Sequence, residues 1–313
     1  MADRAHIVTG LEAVEPAPSV VSVGFFDGVH RGHQTIIRRA AKAAADEGVR
    51  SAVVTFDRHP MEVVKPGSQP KLLMTPRRRA AALAEQGVDL VVVLSFDDEL
   101  RHRSPAAFVD LVAAGALRAR RVVVGVNFRF GHKAAGDLAT LAELGPMRGF
   151  TAEGVSLLEL DGTVISSTEI RAAVERGDVR RAARMLGRPH TVDGIVIRGD
   201  RRGVALGFPT ANLQVDPRLA LPLAGVYAGR FALPAGGSHP CVTNVGHQPT
   251  FGGTDLQVEA HLLDWDGDLY GTTGTVEFHH RLRDERRFAG PDDLVAQIRR
   301  DVEEARRLLD AHG

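Results

Sequence analysis

The stretch Gly24-Phe25-Phe26-Asp27-Gly28-Val29-His30-Arg31-Gly32-His33 decides the fold of the first part of the chain. It follows an apolar run at 20–23 that predicts a buried parallel strand, and it leads into a helix that ends before Gly48. His30 and His33 therefore lie at the N-terminal end of a helix, where free backbone N–H groups and the helix dipole favour phosphate. The pattern predicts a triphosphate-binding loop. A glycine-rich turn with two surface histidines is the alternative.

The composition is that of a soluble globular protein with room for two domains: 313 residues, of which 44% are hydrophobic and 25% charged. Because 39 basic residues balance 39 acidic ones, no global basic field indicates nucleic acid or an anionic membrane as a partner. The single cysteine, Cys241, excludes an intrachain disulfide and a cysteine-based metal cluster. No apolar stretch is long enough to span a bilayer and the N-terminus lacks a signal-peptide core, so we expect a cytoplasmic protein.

Short β-branched runs at 20–23, 51–56, 90–94 and 122–126 alternate with helical patterns over the first 186 residues. This alternation predicts an α/β domain, a doubly wound parallel sheet covered by helices. Thr75-Pro76 and Ser104-Pro105 each supply a helix N-cap followed by proline. Since ligands bind outside the carboxyl ends of parallel strands, we expect the segments after the strands, including Asn127, to converge with the histidines on one site.

The segment Ile165-Ser166-Ser167-Thr168-Glu169-Ile170-Arg171 precedes a helix that stops at Gly177. Its S-x-x-E spacing is that of a capping box, which by itself explains the serine and the glutamate. Three consecutive hydroxyl residues exceed the need of one cap. Free N–H groups beside Arg171 are suited to a second phosphate contact, so we favour the functional interpretation.

After residue 186 the strands shorten, turns multiply and alternation replaces the βαβ rhythm until a last helix near 291–311. This change predicts a small antiparallel β-barrel with a C-terminal helix. The chain is therefore expected to consist of two domains, 1–186 and 187–313.

Two patterns within the predicted barrel carry oxygen ligands. Thr210 and Asn212 lie two residues apart after Gly207, so on an extended backbone they share a face and can coordinate Mg²⁺ and a nucleotide phosphate. The alternative is an ordinary turn that is followed by polar residues without a ligand. In the run 256–262 the apolar residues share one face, and Glu259 projects from the other face with His261. Glu259 is either a general base or an ordinary solvated carboxylate.

The ordered motifs resemble those of the bacterial bifunctional riboflavin kinase/FAD synthetases over essentially the whole chain. In the first part they are the loop that starts at Gly24, the segment 125–131 and the Ser-Ser-Thr-x-Ile-Arg stretch; in the second part they are 207–212, 225–227, 244–246, 249–251 and 268–271. The resemblance implies an N-terminal α/β nucleotidyltransferase fold, the FMN adenylyltransferase (FAD synthetase) domain, which makes FAD from FMN and ATP. It also implies a C-terminal riboflavin kinase domain, a six-stranded antiparallel β-barrel, which phosphorylates riboflavin.

The same resemblance implies roles for individual residues. Adenylyl transfer would use the catalytic residues His30, His33, Asn127 and Arg171. Nucleotide contacts would come from the same motifs, at Gly24, Phe26, Gly28, His30, His33, Ser167, Arg171, Gly207, Thr210 and Asn212. In the kinase Thr210 and Asn212 would hold Mg²⁺ with ATP as co-substrate, and Glu259 would be the base. The implied ligands are riboflavin, FMN, FAD and ATP, and the oligomeric state stays unknown.

The loop that precedes Gly207 departs from the family pattern. Arg201 stands where glycine is common and Val204 where arginine is common, and His247-Gln248 replaces the usual pair before Pro249. Two alternatives to the bifunctional enzyme therefore stay open. One is a paralogue with a single surviving activity or a modified flavin substrate, and the other is a non-catalytic flavin-binding sensor.

Overall fold

The structure, a computed structural model, describes residues 5–199, 203, 206–234, 236–247 and 256–310, the side chain of His247 excepted. The chain packs as two compact units. The first comprises the residues up to Pro70 together with Thr75–Ser166, and the second comprises Lys71–Met74 together with the residues from Ser167 onward. The helices between Ser167 and the barrel thus pack in the second unit, while a domain boundary at 186/187 stays a prediction.

The first unit is built on a six-stranded sheet in which every neighbouring pair of strands is parallel. The strands are β1 (His6–Thr9), β2 (Ser19–Val23), β3 (Arg50–Phe56), β4 (Leu90–Leu94), β5 (Ala119–Gly125) and β6 (Thr151–Val155). Their order is β1-β4-β3-β2-β5-β6. The predicted parallel sheet is confirmed, and its four predicted strands are the four inner ones. The edge strands β1 and β6 were missed because they are mostly exposed or half-buried and carry no continuous apolar run.

Helices cover both faces of this sheet. They are α1 (Arg31–Glu47), α2 (Pro60–Val64), α3 (Pro76–Ala84), α4 (Asp98–His102), α5 (Pro105–Val109) followed by a π-helical segment (Asp110–Ala116), and α6 (Leu138–Leu144); a short hairpin of β7 (Glu159–Leu160) and β8 (Thr163–Val164) follows. The predicted N-caps are confirmed, since the hydroxyls of Thr75 and Ser104 accept hydrogen bonds from the backbone N–H groups of Arg78 and Ala107 at 3.3 and 3.2 Å. On one face α1 packs Ala40 against the sheet, and a larger apolar cluster covers the other.

The order of the strands defines where a ligand binds in this unit. From β2 the chain runs outward through β3 and β4 on one side, and then returns to the other side of β2 with β5 and β6. The direction reverses between the adjacent strands β2 and β5, and in open α/β sheets the crevice outside the carboxyl ends at such a point is the usual ligand site. The loops that follow β2 and β5 are those that the sequence analysis singled out.

The second unit contains a closed six-stranded barrel with antiparallel neighbours, as predicted. It begins with helices α7 (Ser167–Glu175) and α8 (Val179–Leu186). The strands are β9 (His190–Ile197), β10 (Ala211–Val215), β11 (Gly225–Ala232), β12 (Ser238–His247), β13 (Leu256–Leu262) and β14 (Thr273–Arg283), and helix α9 (Pro291–Asp310) follows. The strand order around the barrel is β10-β13-β12-β11-β14-β9. The helix predicted near 291–311 is thereby confirmed.

Helices α7 and α9 are fixed to the barrel by different contacts. The guanidinium of Arg283 on β14 forms an ion pair of 2.8 Å with the buried carboxylate of Asp301 on α9. The backbone N–H of Leu223 donates to the carbonyl of Val174 on α7 at 3.3 Å. At Gly177, which ends α7 with a φ of +75°, a Cβ atom would lie 2.8 Å from Nε of Arg281, so only glycine fits there. No helix in the described ranges is both long and apolar enough to cross a membrane.

Candidate active sites

The loop after β2 has a strained backbone. Phe26 and Val29 have positive φ angles of 56° and 39°, which are rare for bulky and β-branched residues. Gly24 allows the loop to fold back, because a Cβ atom there would lie 2.8 Å from the ring of Phe26. The hydroxyl of Thr55 on β3 donates to the carbonyl of Phe25 at 3.0 Å. Such conformations cost about 1–3 kcal/mol each and persist where the surroundings enforce them, as they do at many functional sites.

This loop ends in a stacked pair of histidines. The rings of His30 and His33 lie 3.5 Å apart between centroids and are inclined by 21°. His30 is the N-cap of α1, and its Nδ1 accepts a hydrogen bond from the backbone N–H of His33 at 3.3 Å. Because Nδ1 is an acceptor, the proton of a neutral His30 is assigned to Nε2. The pair thus combines side-chain donors with the free N–H groups of the first helical turn.

His33 is held neutral by its surroundings. Its Nδ1 atom is buried and lacks a hydrogen-bond partner within the described part of the chain, and the ring of Phe26 meets the imidazole edge to face at 5.2 Å. Burial, and to a smaller degree the neighbouring His30, lower the pKa of His33 well below its ordinary value. A phosphate bound to the pair would oppose this shift, because a nearby negative charge favours the protonated imidazole.

Asn127 lies at the same edge of the sheet as the histidine pair. It is exposed and follows the end of β5, the strand that neighbours β2. A Cβ atom at Gly125 would lie 3.1 Å from the amide oxygen of Asn127, so glycine leaves room for this side chain. The structure therefore brings Asn127 to the switch point with His30 and His33. Phe26 and Gly28 are buried in the loop itself, where Gly28 has a φ of +79°.

The third motif of the first set belongs to the other unit. Ser167 and Arg171 lie in the first turns of α7, and the guanidinium of Arg171 donates to the hydroxyl of Thr168 at 3.4 Å. Their contribution to adenylyl transfer stays a prediction that rests on the motif.

The barrel carries a row of three polar residues on adjacent strands. Glu259 on β13 is the register partner of Asn212 on β10 and of Asn244 on β12. The neighbours of Glu259 in sequence, Val258 and Ala260, are fully buried, whereas Glu259 is half-buried. As predicted, Glu259 lies on the face opposite to the apolar residues. Asn244 was not predicted as a site residue, because its partnership with Glu259 depends on a register that the sequence does not display.

The turn before β10 is fixed by contacts to Asn212 and to Pro209. A Cβ atom at Gly199 would lie 2.5 Å from the amide nitrogen of Asn212, so a larger residue there would displace the Asn212 side chain. His261 donates from Nδ1 to the carbonyl of Pro209 at 2.8 Å, because a carbonyl can only accept. Gly207, with a φ of +82°, supplies the left-handed residue of the turn. Thr210 and Asn212 are thereby held next to one another at the start of the strand.

A pocket of about 140 Å³ opens beside Thr210. Its walls combine apolar side chains with two aromatic rings, those of Trp265 and Tyr270. The guanidinium of Arg198 lies 5.4 Å from the ring centre of Tyr270. Aromatic and apolar walls with a polar edge, here Thr210, Asp266 and Asp268, suit a planar heteroaromatic group such as a nucleobase. The sequence signal for this pocket was slight, since Trp265 stands out only as the single tryptophan of the chain.

The oxygen atoms of this region fit a hard cation. Thr210, Asn212 and Glu259 offer hydroxyl, amide and carboxylate oxygens, which are the ligand types that Mg²⁺ prefers. Within the described ranges no group of three or more His, Cys, Asp or Glu side chains could hold a metal ion. A magnesium ion that keeps several waters and binds chiefly through nucleotide phosphates needs no such cage. Arg201, Val204 and Gln248, where the loop departs from the family pattern, lie outside the described residues.

These features define the class of protein. The first unit carries a candidate phosphate-binding loop at its switch point, and the barrel carries a row of polar side chains and a nucleobase-sized pocket beside Thr210. They are the features of a nucleotide-dependent transferase. Sequence profiles of two families match the chain: FAD synthetase over residues 12–169 and riboflavin kinase over residues 186–309.

Known proteins resemble the chain over nearly its whole length. The bifunctional riboflavin kinase/FMN adenylyltransferase of Pseudomonas fluorescens is 42% identical over 306 residues, 97% of each chain. That of Listeria monocytogenes is 36% identical over 292 residues, 93% of this chain and 92% of its own. A crystal structure from Streptococcus pneumoniae, described as a macrolide-efflux protein, is 29% identical, has a TM-score of 0.87 and covers 97% of this chain and 99% of its own. The chain belongs to the family of bifunctional riboflavin kinase/FMN adenylyltransferases.

Proposed function

We propose that the chain phosphorylates riboflavin with ATP to give FMN, and then adenylylates FMN with a second ATP to give FAD and pyrophosphate. One observation carries the proposal: the loop with the histidine pair lies in one unit and the row that contains Glu259 lies in the other, so phosphate-directed donors and oxygen ligands occur in both units. Near-full-length relatives that carry both activities in their names support it, and the family profiles match both parts of the chain. Neither a single-activity paralogue nor a flavin sensor has a comparable observation in its favour.

For adenylyl transfer we assign His30, His33 and Asn127 to the ATP phosphates, with Ser167 and Arg171 as further phosphate contacts by motif. The FMN phosphate attacks the α-phosphorus, the bond to the β-phosphate oxygen breaks, and pyrophosphate leaves. The protein needs no nucleophile of its own for this step. It aligns the two phosphates and stabilises the charge that spreads over the leaving pyrophosphate, which N–H donors at a helix N-terminus do well.

For riboflavin phosphorylation we assign Glu259 as the general base. A neutral ribityl hydroxyl must lose its proton as it attacks the γ-phosphorus, and a carboxylate is the group in this row that can accept it. Thr210 and Asn212 would hold magnesium with the nucleotide phosphates. When bound, Mg²⁺ neutralises charge on those phosphates. The pocket lined by Trp265 and Tyr270 is assigned to the adenine base.

Composition and the lack of a membrane-spanning helix in the described ranges support the remaining assignments. We propose a cytoplasmic enzyme whose partners are riboflavin, FMN, FAD and ATP, with no nucleic acid or membrane partner and with Mg²⁺ as the cofactor.

The test is incubation of the purified chain with riboflavin, ATP and MgCl₂, with chromatography that resolves riboflavin, FMN and FAD over time. We expect FMN to appear first and FAD to follow. With FMN as the starting flavin, FAD should form without a lag. Accumulation of FMN without FAD would leave only the kinase, FAD formed from FMN but not from riboflavin would leave only the transferase, and no turnover of either flavin would refute both activities.

A further inference from the structure

Arg79 on α3 is a fully buried arginine in the first unit, and no motif includes it. Its exposed fraction is 0%. Its Nη2 donates to the carbonyl of Phe56, the last residue of β3, while its Nε and Nη1 are buried and have no hydrogen-bond partner within the described part of the chain. Burial lowers the pKa of Arg79 to about 10, so the guanidinium stays charged at neutral pH. A buried charge of this kind is costly, and its retention calls for a physical reason.

The guanidinium faces the loop that carries the histidine pair. It lies 4.1 Å from the ring centre of Phe25, which makes a cation–π contact. The carboxylate that interacts with it most strongly is that of Asp27, followed by Asp57 and Glu62. Asp27 is itself buried, with 2% of its surface exposed. Arg79 thus supplies a positive charge that interacts with a buried carboxylate of the loop.

The same contacts reach a second segment. The ring of Phe25 meets the imidazole of His59 edge to face at 4.7 Å. His59 is the N-cap of α2 and accepts a hydrogen bond from the backbone N–H of Met61 at 3.1 Å. Through Phe25 and Phe56, one guanidinium therefore connects the ends of β2 and β3 with the start of α2.

We infer that Arg79 is a positioning residue for adenylyl transfer, which holds the strained loop 24–30, and with it His30 and His33, in the geometry that the transferred phosphates require. It touches no substrate, because it is fully buried. The loop contains two non-glycine residues with positive φ, and such a backbone relaxes unless its surroundings hold it. The inference rests on the proposed adenylyltransferase activity. It adds a residue that acts by holding the loop and not by binding the substrate.

The test compares Arg79→Lys and Arg79→Met with Arg77→Met, an exposed arginine on the same helix. Lysine keeps the charge that Asp27 needs but loses the planar guanidinium that covers Phe25 and reaches Phe56. We expect kcat for FMN adenylylation to fall roughly ten- to a hundredfold in Arg79→Lys, since small misplacements of reacting groups have effects of that size. KM for ATP and FMN should change little, and Arg77→Met should match the wild type. Riboflavin phosphorylation by the same molecules is the internal control.

Hydrogen exchange of the wild type and both Arg79 variants, measured by mass spectrometry, distinguishes a local effect on the loop from a loss of overall stability. We expect faster exchange in the peptide that contains residues 24–34, with β4 and β5 still protected in Arg79→Lys. Wild-type kcat or unchanged exchange of that peptide in Arg79→Lys would overturn the inference. Equal loss of protection over the whole sheet in both variants would also overturn it, since Arg79 would then serve stability alone. If the wild-type chain makes no FAD, the proposed function fails, and the exchange data still decide whether Arg79 holds the loop.

Discussion

Glu259 of β13 and Asn212 of β10 are direct register partners on the barrel, and Asn244 of β12 faces Glu259 from the other side. Directly opposed residues in antiparallel strands have Cβ atoms about 4.5–5.5 Å apart. The proposed base and the proposed ligand of magnesium therefore share one patch of surface. This register places proton acceptance next to the phosphates that Asn212 and Thr210 would bind, as an in-line attack on the γ-phosphorus requires.

Replacement of Glu259 by glutamine should abolish most riboflavin phosphorylation. Glutamine keeps the shape and hydrogen-bonding reach of the side chain but cannot accept the proton, so we expect kcat to fall by roughly a hundred- to ten-thousandfold. Riboflavin binding should be largely kept. Steady-state assays of FMN formation check this result. Glu277→Gln is the matched control, because Glu277 lies on β14, which does not pair with β13. Near-normal turnover of Glu259→Gln would reduce Glu259 to an ordinary surface carboxylate.

The double variant His30→Ala/His33→Ala should lose FAD formation from FMN and keep riboflavin phosphorylation. The stacked pair supplies donors at the helix N-terminus, and loss of preorganised donors lowers transfer rates by roughly a hundredfold or more. The exposed histidines His6 and His102 of the same unit provide the control double variant, His6→Ala/His102→Ala. Unchanged FMN adenylylation in the His30/His33 variant would show that the pair is only a helix cap.

The sequence predicted what depends on local pattern. The four inner strands of the sheet, the caps at Thr75 and Ser104, an antiparallel barrel and the outward face of Glu259 all follow from apolar periodicity and turn chemistry. The edge strands escaped, because a half-exposed strand of four or five residues has no distinctive pattern.

Features that depend on distant contacts could not be predicted. Arg79 lies in a run of three arginines whose members look alike in sequence, yet this one is fully buried and the exposed Arg77 is not. Asn244 gains its place beside Glu259 from the barrel register alone. Likewise, helix α7 carries a motif of the first set but packs in the second unit, through contacts such as that between Val174 and Leu223. Tertiary packing decides all three.

Trp265 should report nucleotide binding to the kinase site without interference from the first unit. It is the only tryptophan of the chain, and it lines the pocket beside Thr210. A nucleobase that stacks in this pocket changes the environment of the indole. We therefore expect the tryptophan emission to change as ADP and Mg²⁺ are added, and the change to reach saturation. The His30→Ala/His33→Ala variant should give the same titration, and Thr210→Val should weaken it. Emission that does not respond to ADP would place the adenine elsewhere.

The barrel should lose stability as the pH falls below neutrality, because of His190. This imidazole is buried, donates from Nε2 to the carbonyl of Ala220 at 3.0 Å, and has its pKa lowered by burial to about 4. Between pH 6.5 and 4 the unfolded chain binds a proton that the folded chain does not, so the free energy of unfolding decreases with falling pH, by roughly 3 kcal/mol over the whole window.

Urea unfolding followed by Trp265 emission isolates the second unit and checks this pH dependence. His190→Gln retains an N–H donor for Ala220 and removes the titration, so its free energy of unfolding should vary less between pH 6.5 and 4 than that of the wild type. His6→Gln, an exposed histidine outside the barrel, should leave the dependence as it is. Equal slopes in the wild type and His190→Gln would assign the acid sensitivity to other groups.

The boundary of an independently folding kinase module is the last prediction. A chain of residues 187–313 is long enough to fold around its own core, and we expect it to convert riboflavin to FMN and make no FAD. The structure predicts that residues 167–313 form the more stable module. Helices α7 and α8 pack in this unit, where Val179, Met185 and Leu186 are buried. Loss of each fully buried large apolar side chain costs roughly 1.5–3 kcal/mol, so removal of both helices should lower the free energy of unfolding by several kcal/mol.

Urea unfolding of the two modules, with FMN formation measured on each, tests this boundary. The longer module should unfold at a higher urea concentration, with a steeper transition because more surface is exposed on unfolding. The variant Leu186→Ala should lower the urea midpoint of the longer module part of the way to that of the shorter one. Arg180→Ala, at an exposed position of the same helix, should leave the midpoint unchanged. Equal midpoints for the two modules would show that α7 and α8 add nothing to the stability of the barrel, and the boundary would then lie at 186/187.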